Sequence, residues 1–85
     1  MNIEINEVVK TYVFNAHGNM VGARITKSED GYSWDVSHFR IDDRSRTVMP
    51  EASAVGTIEE AIEQLKAYVN QYRSGYSPYK NVHYC

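Results

Sequence analysis

The sequence predicts an α+β protein in which a three- to four-stranded antiparallel β-meander packs on one C-terminal α-helix, in the order ββββα. Two observations lead to this prediction. Residues 56–75 carry apolar side chains at steps of three and four, which is the spacing of one face of a helix. Residues 1–49 instead alternate apolar and polar side chains in short runs separated by turn residues, which is typical of antiparallel strands.

The helix is predicted to run from Gly56 to Gly75, and both ends carry recognisable signals. The Thr57 hydroxyl can accept from the backbone N–H of Glu60, whose carboxylate can reach back to the backbone N–H of Thr57, as in a capping box. Gly75 is the predicted stop, with a proline three residues later. The apolar stripe consists of Ile58, Ala61, Ile62, Leu65, Val69 and Tyr72.

The first two strands are predicted over residues 1–14 and 20–27, joined by turn residues 15–19. The second strand should turn apolar side chains to the core and Arg24 and Thr26 to solvent. The first strand has apolar residues on both faces, so part of it is expected to be covered on both sides. One of its faces consists of Ile3, Ile5, Val9 and Val13, and the other of Val8, Tyr12 and Phe14.

A third strand is predicted over residues 32–41, after an Asp-Gly turn whose glycine supplies a positive φ. Trp34 is expected near the centre of the sheet beneath the helix, with a partner for its indole N–H. The alternation changes phase at His38, which indicates a β-bulge or the end of the strand. A turn at residues 42–45 and a short fourth strand at residues 46–49 complete the meander.

The chain is predicted to form a single α+β domain over residues 1–75, followed by a polar, tyrosine-rich tail over residues 76–85. At 85 residues it can bury one compact core. An apolar fraction of 42% with 24% charged residues is ordinary for a folded protein.

The composition of the chain limits the binding partners and the cellular compartment that we expect for it. A net charge of −2 gives no general attraction to nucleic acid or to an anionic membrane, so direct nucleic-acid binding is not expected. No window has the length and apolarity of a membrane span or a signal peptide. One cysteine, Cys85, leaves no internal disulfide and is typical of a reducing compartment, so a cytoplasmic location is predicted.

Catalytic and metal-binding patterns are not found in the sequence. The three histidines lack metal-motif spacing, and the His83 and Cys85 pair is interpreted as an ordinary chain end. Asp35 and His38 are the nearest to an acid–base pair, but a regular strand would put them on opposite faces. We therefore predict a protein that is not an enzyme and needs no cofactor.

Arginine and tyrosine side chains are the candidate partner-binding residues, because both types are enriched at protein interfaces. The arginines surround the predicted turn at residues 42–45, and the tyrosines follow the helix. There are two alternative interpretations. The arginines can form solvated ion pairs within the turn, and the tyrosines can pack at the end of the helix. The candidates are Arg24, Arg40, Arg44, Arg46, Tyr76 and Tyr79.

About half of the chain resembles the N-terminal domain of HicB-type antitoxins. The shared pattern is a strand, an acidic Asp-Gly turn, a strand with an aromatic and a valine, and a helix that opens with Gly-Thr-x-Glu-Glu-Ala. This resemblance implies a related fold and, as one hypothesis, an antitoxin or a small transcriptional regulator. The matching residues are Glu29, Asp30, Gly31, Tyr32, Val36, Ser37, Phe39, Gly56, Thr57, Glu59, Glu60 and Ala61.

In size and architecture the chain is also similar to the small inhibitors encoded by phages and prophages, anti-CRISPR proteins among them. This likeness and the surplus of arginine and tyrosine favour a protein-binding inhibitor or adaptor that occludes a site on a larger protein or complex. A small enzyme or ligand-binding domain is a third hypothesis, which a pocket lined by Asp35 and His38 would support. A homodimer remains open as a further mode of association.

Overall fold

The computed structural model describes residues 6–50 and 53–84, and within them it has the predicted α+β architecture with antiparallel strands and one helix. In chain order the elements are β1 (Glu7–Ala16), β2 (Asn19–Ser28), β3 (Gly31–Val36), β4 (His38–Ile41), β5 (Thr47–Val48), α1 (Ile58–Val69) and β6 (Tyr79–Lys80). Helix α1 lies over β3 and β2.

The strands form two antiparallel sheets, a first sheet of order β1-β2-β3 and a second sheet of order β5-β4-β6. The predicted third strand is therefore divided between them at Ser37. Here the Ser37 backbone N–H donates to the Gly22 carbonyl at 2.8 Å, and the Gly22 N–H donates to the Ser37 hydroxyl at 2.8 Å. Of the two explanations for the phase change at His38, the structure shows the end of a strand.

The turn between β1 and β2 is a two-residue loop in which both residues have positive φ, 53° at His17 and 94° at Gly18. These angles match the right-handed twist of the flanking strands, which explains why the predicted turn closes a hairpin here. Ile3 and Ile5, which are predicted to lie on one face of the first strand, fall outside the described residues.

Strand β2 faces the core as predicted, since Val21, Ala23 and Ile25 have no exposed surface. The predicted facing of β1 is wrong. A register shift between Val8 and Lys10 inserts a bulge, so that Val9 packs against the core while Val13 is 67% exposed. A bulge reverses the alternation on one side of it, and a pattern that assumes period two cannot show this.

Trp34 lies beneath the helix, opposite Ile25, and its indole N–H donates to Gln64 Oε1 at 3.1 Å. The predicted indole partner therefore exists. Trp34 is only half-buried, however, and the largest fully buried side chains are smaller ones on β2 and β3. The helix contributes Leu65 and Tyr68 to this core, and the Tyr68 ring centroid is 5.2 Å from that of Trp34.

Helix α1 ends at Val69 with Asn70 as its C-terminal cap, so the predicted stop at Gly75 is wrong. The helical period misled the prediction because Tyr72 is buried like a helical residue although it lies beyond the helix. Its hydroxyl donates to the His38 carbonyl, and its ring meets that of Phe14 edge to face. Gly75 has a positive φ, but it serves a later turn.

The helix begins where predicted, because the Thr57 side chain accepts from the backbone N–H of Glu60 at 3.2 Å. The Glu60 carboxylate accepts from the Thr57 hydroxyl at 3.2 Å, whereas the predicted capping box has it accept from the backbone N–H of Thr57. We expect Thr57→Ala to lower the free energy of unfolding by about 1 kcal/mol and Thr57→Ser to change it little. Urea denaturation of both variants measures this, and equal losses would show that the hydroxyl does not cap the helix.

Residues 76–84 are part of the fold and do not form a separate tail. In β6, Tyr79 pairs with Phe39 and Lys80 with His38. Beyond β6, Asn81 is buried, and its backbone N–H donates to the Ser37 carbonyl at 2.9 Å. The segment thus adds an edge strand to the second sheet and then packs at the junction between the two sheets.

Candidate functional site

Five of the six predicted partner-binding residues lie on the second sheet or on the segments that lead into it. Arg40 is in β4, Arg44 and Arg46 are in the turn between β4 and β5, Tyr76 precedes β6 and Tyr79 is in β6. The remaining residue, Arg24, is on β2 of the first sheet.

The turn between β4 and β5 is organised by Asp42. Its Oδ1 accepts from the backbone N–H groups of Arg44 and Arg46, each at 2.9 Å, and its own backbone N–H donates to the Arg46 carbonyl at 2.8 Å. The Arg46 N–H and then that of Arg44 hold the pKa of Asp42 below its ordinary value, against the opposing effect of desolvation. Ser45, with a φ of 60°, completes the turn.

These backbone hydrogen bonds leave the two arginine side chains of the turn at the surface. Arg44 is exposed, and Arg46 Nε lies 3.5 Å from Asp42 Oδ2 in an exposed ion pair. Exposed pairs of this kind are weak because water and salt screen them. Both guanidinium groups can therefore bind a carboxylate of another protein while the backbone of the turn stays fixed.

Arg40 has a more structural position than its neighbours in the turn. Its backbone N–H donates to the Tyr68 hydroxyl at 2.9 Å, and that hydroxyl donates to the Val48 carbonyl at 2.5 Å. Burial of the ring raises the pKa of Tyr68. The Arg40 guanidinium lies 5.5 Å from the centre of the Tyr68 ring, and its buried Nε has no hydrogen-bond partner among the described residues. Tyr68 thus joins the helix to β4 and β5.

The two tyrosines differ in exposure. Tyr79 is 61% exposed on β6, although its strand neighbour Phe39 is buried. Tyr76 is half-buried, and the Arg73 guanidinium lies 5.9 Å from the centre of its ring. Tyr79 is therefore the better placed of the two to contact another protein.

Arg24 is held within the protein on the far side of the first sheet from the helix. Its guanidinium is 3.6 Å from the Asp35 carboxylate and 4.2 Å from the centre of the Tyr84 ring. The same ring covers Gly22, where an added Cβ would lie 3.1 Å from the Tyr84 hydroxyl oxygen. Through these contacts, Arg24 holds residues 81–84 against the first sheet.

Asp35 and His38 do not form an acid–base pair, because they lie in different sheets and each has other hydrogen-bond partners. Asp35 Oδ1 accepts from the Val36 N–H and the Asn81 amide, both at 2.9 Å. His38 Nδ1 lies 2.8 Å from the Ser37 hydroxyl. Within residues 6–50 and 53–84, no three His, Cys, Asp or Glu side chains are grouped to hold a metal ion. Cys85 lies outside the described residues.

The sequence analysis did not identify the outer edge of the first sheet as a candidate site. Four large apolar side chains are exposed on the β1–β2 hairpin, namely Val8, Tyr12, Val13 and Met20. A groove of about 330 Å³ lies between β1 and α1. The available signal was the apolar character of both faces of the first strand, which was interpreted as burial on both sides.

Comparisons with family models, curated proteins and solved structures find no match to this chain. In the part of the chain that the structure describes, no helix has the length and apolarity needed to cross a membrane. Hypotheses about function therefore depend on the surfaces of the chain itself.

Proposed function

We propose that this protein is a small, non-catalytic inhibitor or adaptor that binds an acidic surface of a larger protein or protein complex and occludes it. The anti-CRISPR-like phage proteins act in this general way, and we expect this chain to act in the cytoplasm as they do. The observation that carries the proposal is the exposure of Arg44 and Arg46 in the β4–β5 turn and of Tyr79 on β6 of the same sheet.

Arginine and tyrosine contribute most to binding when they are held rigidly, because little conformational entropy is then lost on association. The turn that carries Arg44 and Arg46 is fixed by four hydrogen bonds of Asp42, two accepted by its carboxylate and two made by its backbone. Tyr79 is fixed by its strand pairing with Phe39. The backbone is therefore already ordered before a partner arrives.

Charge favours an acidic partner. A recess of about 430 Å³ beside the turn is lined by Arg40, Arg73, Asp42 and Asp43, among others. Asp42 is committed to the backbone of the turn, so its carboxylate offers little to a partner. With Arg44 and Arg46 added, positive side chains outnumber the negative ones at this end of the second sheet, which attracts a carboxylate-rich surface.

The charge reversal Arg44→Glu with Arg46→Glu should slow association with the partner roughly tenfold and weaken its dependence on salt. Partners are captured from a host lysate on the wild-type protein, and the captured protein is then purified for kinetic measurements. The matched control is Lys10→Glu with Lys27→Glu, which reverses two charges on the first sheet. Circular dichroism confirms that both variants are folded.

If the two double variants bind alike, the turn is not the contact surface and the proposal is wrong. Tyr79→Ala gives an independent check, since loss of a central aromatic contact costs about 2 kcal/mol or more. Deletion of residues 76–85 cannot serve here, because it removes β6 together with the buried Asn81.

The antitoxin or regulator hypothesis has one supporting observation. The Asp-Gly turn and the start of the helix, which carry the HicB-like pattern, lie side by side, since the Tyr32 N–H donates to the Val55 carbonyl at 2.7 Å and the Val55 N–H donates back at 2.8 Å. Recovery of a small toxin as the captured partner would favour this hypothesis over the inhibitor. A large host complex would favour the inhibitor.

A further inference from the structure

The β1 edge of the first sheet is open, whereas the β3 edge is partly covered. The order β1-β2-β3 makes these two strands the edges. On the β3 side, Tyr32 exchanges two backbone hydrogen bonds with Val55, at 2.7 and 2.8 Å. Strand β1 has ten residues, and the strand pairing of the described residues joins it to β2 alone. An edge of this length can accept another strand.

Only the first half of β1 has features that discourage strand addition. The bulge between Val8 and Lys10 interrupts the edge in that half. From Lys10 to Ala16 the register with β2 is regular, and Val13 is exposed on this stretch. Strand addition is therefore expected at residues 10–16.

The hairpin geometry determines which backbone groups face the open edge. A two-residue loop closes on a hydrogen-bonded pair, here Ala16 with Asn19, and such pairs then alternate along the hairpin. Residues 12, 14 and 16 thus direct their N–H and C=O groups to β2. The corresponding groups of Thr11, Val13 and Asn15 point toward the open edge.

We propose that a second copy of this chain adds its β1 to this edge, antiparallel, with Val13 opposite Val13 of the second copy. Tyr12 then lies opposite Phe14, and Thr11 lies opposite Asn15. The aromatic pairs face the helix side, because Tyr12 and Phe14 lie opposite the buried Ala23 and Val21 within each copy. The central valines meet on the other face, and the result is a continuous six-stranded sheet.

From residue 11 to residue 15 this register matches like with like, which is the reason to assign a second copy rather than a strand of another protein. Aromatic pairs and valine pairs stabilise antiparallel strands, and like charges opposite each other destabilise them. Lys10 lies opposite Ala16, so no like charges meet. A shift of two residues in either direction places Val13 opposite Thr11 or Asn15, so apolar and polar side chains are mismatched. A twofold axis is also the commonest symmetry of protein dimers.

The groove beside β1 provides further apolar surface for the dimer. It is lined by Tyr12 and Phe14 on the strand and by Ile62 and Val69 on the helix, among others. A strand added to β1 extends the floor of this groove, and its aromatic side chains close the open side. Both copies contribute such a groove, so burial occurs twice in the symmetric dimer.

Opposite charges at position 13 test the proposal and its register together. The wild type should show a dimer fraction that rises with concentration in sedimentation equilibrium. Val13→Lys and Val13→Glu should each raise the dimer dissociation constant roughly tenfold or more, because two like charges then face each other. An equimolar mixture of the two variants should recover a dimer, since the charges at position 13 are then opposite. Val82→Lys, at a residue that is 73% exposed elsewhere, is the control and should dimerise like the wild type.

Several results would overturn the proposal. A wild type that remains monomeric up to millimolar concentration would leave the edge for a strand of another protein. Dimerisation of Val13→Lys at the wild-type concentration would place the interface elsewhere, and a mixture that stays monomeric would exclude this register. The variant Arg44→Glu with Arg46→Glu should dimerise normally, which separates this interface from the one under Proposed function.

Discussion

Replacement of Gly31 by alanine should lower the free energy of unfolding by roughly 3 kcal/mol or more, because two penalties coincide there. Gly31 has a φ of 121°, which L side chains rarely adopt. An added Cβ would also lie 2.2 Å from the Val55 carbonyl oxygen, a backbone atom that no side-chain rotation can move. The chain must shift there to admit a methyl group.

That shift would affect more than one turn. The Val55 carbonyl accepts from the Tyr32 N–H at 2.7 Å, and Val55 leads directly into the cap of α1. Gly31 therefore lies where the β2–β3 hairpin meets the segment before the helix. Displacement of Val55 would weaken both the covered edge of the first sheet and the approach of the helix to it.

Gly18→Ala is the matched control for this prediction. Gly18 has a φ of 94°, and an added Cβ there has nothing within 4 Å. The Gly18→Ala variant should therefore lose only about 1 kcal/mol of unfolding free energy, because alanine is disfavoured at this positive φ. Urea denaturation of both variants gives the comparison. Equal losses would mean that the close approach to Val55 contributes nothing and that φ alone matters at Gly31.

The hairpins were predictable from the sequence because their signals are local. A turn needs particular residues at adjacent positions, and Gly31, the first residue of β3, supplies the positive φ directly after the two-residue loop 29–30. The burial of Val21 and Ile25 follows equally from alternation within one strand. The cap at Thr57 is local in the same sense, since its partner is three residues away.

The end of the helix and the role of residues 76–84 were not predictable, because they depend on contacts between distant parts of the chain. Tyr72 continues the helical period, yet it is buried through contacts with His38 and Phe14. Strand β6 has two residues and pairs with a strand about forty positions earlier. No pattern within so short a segment indicates that pairing.

The residue types of the candidate site were predictable from the sequence, but the contacts that each residue makes were not. Arginines close together in sequence identified the turn, because Arg44 and Arg46 both lie in it. Arg24 belongs to the same residue class, yet Asp35 and Tyr84 engage it inside the structure. The open edge of β1 was not identified because exposure of Val13 depends on the bulge.

The substitution Asn81→Asp should lower the free energy of unfolding by about 3 kcal/mol, because it removes a buried donor and adds a charge. Asn81 is 4% exposed. Its side-chain amide donates to Asp35 Oδ1 and to the Val36 carbonyl, both at 2.9 Å. An aspartate would face these two acceptors with no hydrogen to donate, and one of them is itself a carboxylate.

Asn15→Asp makes the same chemical change at an exposed site and serves as the control. Asn15 Oδ1 accepts from the Gly18 N–H at 2.7 Å, and an aspartate can still accept this bond, so the effect should be small. Adding Asp35→Asn to Asn81→Asp should recover roughly 1 kcal/mol, since it removes one carboxylate and supplies a donor. Thermal and urea denaturation give these values.

If Asn81→Asp proves as harmless as Asn15→Asp, residues 76–84 are not part of the cooperative fold. Loss and partial recovery together would instead mean that Asn81 fastens the end of the chain to the junction of the two sheets.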